Sequence, residues 1–261
     1  MFDFHVHSRV SFDAHDTGLA LALAARDAGV KELCFTDHRD YESGVAEQTM
    51  VFDLQDYSRE YDSLDIPGLK IRRGMEFGMT FDNRDQFRED LKLRPFDFVL
   101  GSVHFIDGQD VYFAPFWEGK TIHQAERRYL EETLRCVTVH DDFDVLAHLN
   151  FLSKSPASPC PRPLAYQEHA EVVDAILETL VKKGKGLEMN TSGVDRKVGF
   201  LPEREFFLRF RELGGEIVTV GSDAHTCARV GQYTAQACEI LSGIFGHVCT
   251  FENRQPIFHK I

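Results

Sequence analysis

No stretch of about 18 consecutive apolar residues occurs anywhere in the chain, so a membrane-spanning helix has no place in its 261 residues. The opening Met1-Phe2-Asp3-Phe4-His5 lacks the basic region, apolar core and cleavage site of a secretory signal. Six cysteines, Cys34, Cys136, Cys160, Cys227, Cys238 and Cys249, form no C-x-x-C pair and no regular spacing. Zinc knuckles and a disulfide scaffold are thereby excluded, and scattered thiols suit a reducing compartment; a cytoplasmic protein is expected. Basic residues are scarce, with 29 Lys and Arg against 42 Asp and Glu for a formal charge of -13, and they form no cluster that would grip a phosphate backbone. No glycine lies in Val6-His7-Ser8-Arg9-Val10 after the first apolar run, which excludes a Rossmann or P-loop phosphate turn. What is present, 43% apolar and 27% charged residues, is the composition of an ordinary globular protein, read as one domain over 1–261.

Short apolar runs recur along the whole chain: Phe2 to Val6, Glu32 to Thr36, Ile71 to Phe77, Phe98 to Val103, Val145 to Ala147, Gly186 to Met189 and Ile217 to Val220. Each fits a buried strand. Between them, helical spacing is clearest over Thr121 to His140, Tyr166 to Lys183 and Pro202 to Leu213, with Gly29, Gly184 and Gly214 placed where helices should stop. Strand and helix in alternation imply a parallel sheet covered by helices, and at this length a closed α/β barrel is favoured over an open sheet. Ser153 to Pro163, rich in proline and serine, reads as an irregular loop within the barrel.

Of 12 histidines, six sit at or just past the end of a predicted strand. His5 and His7 close the first run as His-x-His, which the two-residue strand period places on one side. Asp37-His38 ends the second, Glu76 the third, Gly101-Ser102-Val103-His104 the fourth, Leu146-Ala147-His148 the fifth, and Gly221-Ser222-Asp223-Ala224-His225 the seventh. In a parallel barrel these ends converge on the face that carries the active site. A single histidine at a strand end is ordinarily a hydrogen-bonded core or rim residue. A set of imidazoles and carboxylates gathered at one end needs a cation to balance it. Imidazole with carboxylate and no thiolate suits zinc, iron or manganese, and the donors outnumber what one ion can use, so two or three divalent ions are expected. Glu76, with two oxygens, is the best candidate to bridge two of them.

In order, Asp3-Phe4-His5-Val6-His7-Ser8, Phe35-Thr36-Asp37-His38, Gly74-Met75-Glu76, Gly101-Ser102-Val103-His104, Ala147-His148 and Gly221-Ser222-Asp223-Ala224-His225 resemble the motifs of the PHP (polymerase and histidinol phosphatase) superfamily over positions 3 to 225. The resemblance implies a distorted (β/α)7, TIM-like barrel with a trinuclear metal centre that hydrolyses phosphate esters. Leu187-Glu188-Met189-Asn190-Thr191-Ser192-Gly193 and the following Arg196 look most like the free-standing histidinol-phosphate phosphatases. Carried over residue by residue, it implies His5, His7, Glu76 and Asp223 on a first ion, Glu76, His104 and His148 on a second, and His38, His225 and Asp13 on a third, with His15 competing for the place of Asp13. Asn150 departs from the family, many members of which have aspartate there.

The implied reaction is hydrolysis of L-histidinol phosphate by a hydroxide bridging the first two ions, with Glu76, Asp223 and His225 as the catalytic candidates. No phosphoenzyme is expected, because every candidate carboxylate is needed as a ligand. Arg196 is the expected phosphate clamp, since a guanidinium binds two phosphate oxygens at once. Lys154 and Arg162 are second choices and Arg9 a third. Phe105, Tyr112, Phe113, Phe116 and Trp117 either wall the substrate pocket or pack a long loop on the barrel. Asn190 either meets the substrate or orients a ligand. The expected partner is a small phosphorylated substrate, with no nucleic acid and no membrane, and the chain is compatible with a homo-oligomer. Rival readings are a PHP-type nuclease or nucleotide phosphatase, an amidohydrolase, whose bridging group is commonly a modified lysine where this chain has Glu76, and a non-catalytic metal-binding module.

Overall fold

In the computed structural model, which describes residues 1–41 and 50–260, seven parallel strands follow one another in chain order. They are β1 (Phe2–Val6), β2 (Glu32–Phe35), β3 (Lys70–Gly78), β4 (Phe98–Ser102), β5 (Val145–Leu146), β6 (Gly186–Asn190) and β7 (Val218–Gly221). Each pairs with the next. The two outer strands meet just past their ends: Val6 bridges Ala224, the Asp223 N–H donates to the His5 carbonyl at 2.8 Å and the His7 N–H to the Ala224 carbonyl at 2.9 Å. The sheet is therefore the expected distorted (β/α)7 barrel.

Each strand is followed by a helix: α1 (Gly18–Asp27), α2 (Leu54–Tyr61), α3 (Arg84–Asp90), α4 (Ile122–Val139), α5 (Ala170–Lys183), α6 (Arg204–Glu212) and α7 (Thr234–Phe245). Helix α4 starts on a capping box, in which the Thr121 hydroxyl accepts from Gln124 N–H and the Gln124 side chain accepts from Thr121 N–H. It buries Ala125, Tyr129, Thr133 and Val137 of the predicted face. The other two predicted helices begin later than their apolar periodicity suggests. Tyr166–Glu168 is a separate 3-10 turn before α5, and α6 begins at Arg204 with Glu203 at its N-cap. Helix α5 ends at Gly184, in the left-handed conformation (φ 65°) that glycine adopts without a Cβ clash. Among the described residues no helix is long and apolar enough to cross a membrane.

Two features absent from the sequence reading shape the site and its support. Along one edge the nine residues of β3 serve two partners: Lys70–Arg73 pair with β2, while Glu76 and Phe77 pair with a two-residue strand, His38–Arg39. The chain leaves the ladder between these pieces, at Thr36 and Asp37, and that offset sets His38 directly opposite Glu76. At the other end of the barrel a hairpin, β8 (His247–Glu252) and β9 (Gln255–Lys260), closes the bottom. Cys249 and Phe251 of β8 pack with Phe4, Cys34, Phe98, Leu100, Val145 and Ala147. Phe251 is 2% exposed, so Phe251→Ala should leave a cavity under the barrel and cost about 3–5 kcal/mol, read as a lowered urea midpoint at unchanged slope.

Candidate metal centre

The C-terminal ends of the strands bring the predicted donors together. His5 lies on β1 and His7 just beyond it, and both rings point at Glu76 on β3 and Asp223 just past β7. His5 Nε2 is 3.3 Å from Glu76 Oε2 and 3.7 Å from Asp223 Oδ1; His7 Nε2 is 3.4 Å from each of the same two oxygens. Four donors tetrahedrally placed about 2.0–2.2 Å from one zinc-sized ion stand about 3.3–3.6 Å apart, so this set is spaced for a shared cation. The other Glu76 oxygen, Oε1, is 2.7 Å from His148 Nε2 and 3.3 Å from His104 Nε2. Asp13 Oδ2 lies 3.1 Å from His225 Nε2 and 3.6 Å from His38 Nε2, and the His7 ring stacks against each of the His38 and His225 rings with centroids 4.3 and 4.2 Å away. Asp13, not His15, reaches the cluster and lines the cavity above it.

The polar accounting points to a cation. His5 Nε2, His7 Nε2, His38 Nδ1, His104 Nε2 and Glu76 Oε2 are buried with no hydrogen-bond partner, although buried polar atoms are ordinarily satisfied. Burial alone would push the Glu76 carboxyl up, yet His5, His38 and His104 hold it well below the usual range. Burial would pull His5 down, but Glu188, Glu76 and Asp223 lift it well above an ordinary histidine. His104 is lifted to about 10 by Asp40 and Glu76 against the same burial. Protonated imidazoles thus balance the carboxylates when no other cation does. His7 is held well below its ordinary value, by burial and then by His225 and His38, and so keeps a free lone pair for a ligand. The donor set and its orphaned atoms fit divalent metal.

Several contributors carried no role in the sequence reading. Glu188 on β6 accepts from His5 Nδ1 at 2.7 Å, Asp40 from His104 Nδ1 at 2.8 Å, and Ser102 donates to Glu76 Oε1 at 2.6 Å. Asp37 is no ligand: it ties the loop after β1 by accepting from Ser8 N–H (2.8 Å), the Ser11 hydroxyl (3.0 Å) and the Tyr61 hydroxyl (2.5 Å). Glu188 alternates correctly within a predicted strand and Asp40 lies two residues past a ligand, but only tertiary pairing turns either toward an imidazole.

Above the donors opens a cavity of about 740 Å³ whose lining includes Asp13, Glu76, Lys154, Arg196, Asp223 and His225. The Lys154 ammonium pairs with Asp223 Oδ2 and donates to Ser192 Oγ at 3.2 Å. Exposed Arg196 spans the mouth, donating to the Tyr112 hydroxyl at 2.6 Å and the Lys154 carbonyl at 3.0 Å. The structure places three sets of residues from the sequence reading. Asn190 does not line the cavity: it is fully buried, its amide donating to Glu188 at 3.2 Å and accepting from Ser192. Of the aromatic segment, Tyr112 and Phe113 line the cavity, whereas Phe105, Phe116 and Trp117 are core; Phe12 and Phe151 complete the wall. Arg162 is committed to Glu126 and Glu168, and Arg9 to Glu60, both away from the cavity.

Residues 3–192 match the PHP domain family, about three quarters of the chain. The chain belongs to the PHP domain family. That match includes seven of the nine candidate ligands; Asp223 and His225 lie beyond it and join the PHP set through the geometry above. Among curated proteins, the chain is 29% identical over 232 residues to a histidinol-phosphatase of Lactococcus lactis, covering 87% of this chain and 85% of that one. It is 29% identical over 234 residues to a probable histidinol-phosphatase of Clostridium acetobutylicum, covering 88% and 89%. Among solved structures, it is similar to histidinol phosphate phosphatase from Lactococcus lactis complexed with zinc, L-histidinol and phosphate, with a TM-score of 0.89, 27% identity and 98% of each chain covered. A likeness in fold extends to a Listeria monocytogenes PHP-fold protein described as a putative histidinol phosphatase, at a TM-score of 0.72 and 18% identity.

Proposed function

We propose that this PHP protein is a metal-dependent phosphomonoesterase that hydrolyses L-histidinol phosphate to L-histidinol and phosphate. The observation that carries the reading is Glu76, whose two oxygens face separate groups of imidazoles at the floor of a cavity flanked by Lys154 and Arg196. The Lactococcus lactis structure of the same fold, which holds zinc, L-histidinol and phosphate, supports the substrate. His5, His7, Glu76 and Asp223 would hold one divalent ion, Glu76, His104 and His148 a second, and Asp13, His38 and His225 a third. Bound there, such ions would acidify a water for attack on phosphorus and offset charge on the phosphoryl oxygens.

The rest of the chemistry falls to side chains of the chain. Lys154 and Arg196 supply positive charge for the phosphate end of the substrate. Asp110 lines the same cavity and can pair with the ammonium of an amino alcohol, while Phe12, Tyr112, Phe113 and Phe151 offer flat apolar faces to its imidazole; Asp195 and Arg229, also in the lining, are paired with each other. Asn190 holds Ser192 against Asp223 and so shapes the floor. We read residues 1–261 as one catalytic unit, since β8 completes the core beneath β1, β4 and β5.

A bounded hollow fits a small phosphate ester; a nuclease would need a basic track leading to it, and the chain's charge is -13. Phosphate release should be measured with histidinol phosphate and nucleoside monophosphates, and strand cleavage with a short oligonucleotide, each with and without added Zn²⁺ or Mn²⁺. Turnover of histidinol phosphate at least about 100-fold more efficient than of the others, some 2.7 kcal/mol in transition-state binding, is expected. Cleavage of the oligonucleotide alone would make the protein a nuclease, and no reaction with any would favour the non-catalytic module.

A further inference from the structure

Two of the imidazoles that face the donor clusters are braced from behind by carboxylates outside the cavity lining. Glu188 Oε1 accepts from His5 Nδ1 at 2.7 Å, while its Oε2 accepts from the His148 backbone N–H at 2.9 Å. Asp40 Oδ1 accepts from His104 Nδ1 at 2.8 Å, and its Oδ2 lies 3.3 Å from His38 Nδ1. Glu188 is 1% and Asp40 2% exposed, and neither lines the cavity. Burying a carboxylate is costly unless it is paired, so each needs the imidazole it faces. The remaining braces are neutral: the Ser11 hydroxyl for His7 at 3.1 Å and the Asp223 carbonyl for His225 at 2.9 Å.

Both carboxylates sit in slots kept open by glycine at the end of a neighbouring strand. A Cβ at Gly221 would overlap Glu188 Oε1 and His5 Cβ, and one at Gly78 would overlap the Asp40 carboxylate. The two braces are therefore built into the barrel alike, a strand-end glycine, a buried carboxylate and a ligand histidine, on different sides of Glu76.

We propose that Glu188 and Asp40 are positioning residues of the metal centre that act on different ions, Glu188 on the first through His5 and Asp40 on the second through His104. A carboxylate can only accept, so each fixes its imidazole as the Nδ1–H tautomer, leaves the Nε2 lone pair facing the donors and raises its basicity. Removing such a partner ordinarily weakens metal binding about 10–100-fold. The two ions share Glu76, so the losses are coupled, but each brace faces a different imidazole and the double variant should bind Zn²⁺ more weakly than either single one.

The inference rests on the metal reading of the site but not on its substrate, so its test is a titration. Apo protein is titrated with Zn²⁺ against a chromophoric chelator, and bound equivalents are counted by mass spectrometry after gel filtration. Glu188→Gln keeps the volume but loses the charge and one of the two acceptor oxygens, which now serve His5 on one side and His148 N–H and Asn190 on the other; it should weaken one Zn²⁺ equivalent about 10–100-fold. Asp40→Asn should weaken another and the double variant both, while Glu188→Asp, which keeps the charge but shortens the reach to His5, should fall between wild type and Glu188→Gln. Single variants that titrate like wild type, or a double variant no worse than either single one, would overturn the proposal. Circular dichroism of each apo variant establishes its fold. If Glu188→Gln unfolds, Glu188→Asp carries the comparison, and unfolding of all three single variants would show the carboxylates to be structural only and overturn it too. A wild-type chain that binds no Zn²⁺ would instead overturn the metal reading itself.

Discussion

Glu76→Ala should lose both metal and turnover, with kcat/KM falling on the order of 10⁴-fold or more, about 5.4 kcal/mol of transition-state stabilisation. No other side chain in the cluster reaches as many partners. Its Oε2 lies 3.1–3.4 Å from His38, His5 and His7, and its Oε1 lies 2.7–3.3 Å from His148 and His104. Without it the imidazoles remain but lose the carboxylate that gathers them, and like-charged rings then oppose one another whenever they are protonated. Bound Zn²⁺ should fall by at least one equivalent, measured beside activity on the same preparation. An alanine variant with full metal and full activity would remove the centre as described. His7→Ala should follow the same course, since its Nε2 joins Glu76 to Asp223.

Lys154→Ala should lower kcat about 10²–10³-fold with little change in metal content, the scale seen when a preorganised charge facing a transition state is removed. The reason is placement. The Lys154 side chain is 10% exposed, lies against Asp223 at the cavity floor and packs over the Phe151 ring with its nitrogen 4.7 Å from the centroid. Its charge acts where little water screens it. Arg196 is exposed at the mouth, so Arg196→Ala should act mainly on KM, roughly tenfold, by loosening phosphate capture rather than the chemical step. Steady-state kinetics on both variants separate the two roles. If Lys154→Ala changes metal content in step with activity, its place is in balancing the charge of Asp223 and not on the phosphate.

The clustering of the candidate donors was legible because a parallel barrel converts strand ends in sequence into neighbours in space. His5, His38, Glu76, His104, His148 and Asp223 are spread over more than 200 positions, yet each follows or closes an apolar run, and that rule alone groups them. Asp13 was separable from His15 only once the loop after β1 had a course. That course depends on Asp37, Ser11 and Tyr61, whose hydrogen bonds join residues 24 to 29 positions apart. The aromatic segment stayed open between wall and packing for a related reason. Tyr112 and Phe113 differ from Phe116 and Trp117 only in the side of a short helix and loop they occupy, which composition does not encode.

The amino-acid sequence by itself determined the alternation of strand and helix, the parallel barrel, and which imidazoles and carboxylates share its mouth, because hydrophobic period and strand-end position are local properties. Only the tertiary structure decided that Glu188 and Asp40 stand behind His5 and His104, that Asn190 is buried beneath the cavity against Glu188 and Ser192, and that a hairpin seals the opposite end. Those facts depend on contacts between segments up to 185 residues apart, where a side chain's role is set by what the fold turns toward it.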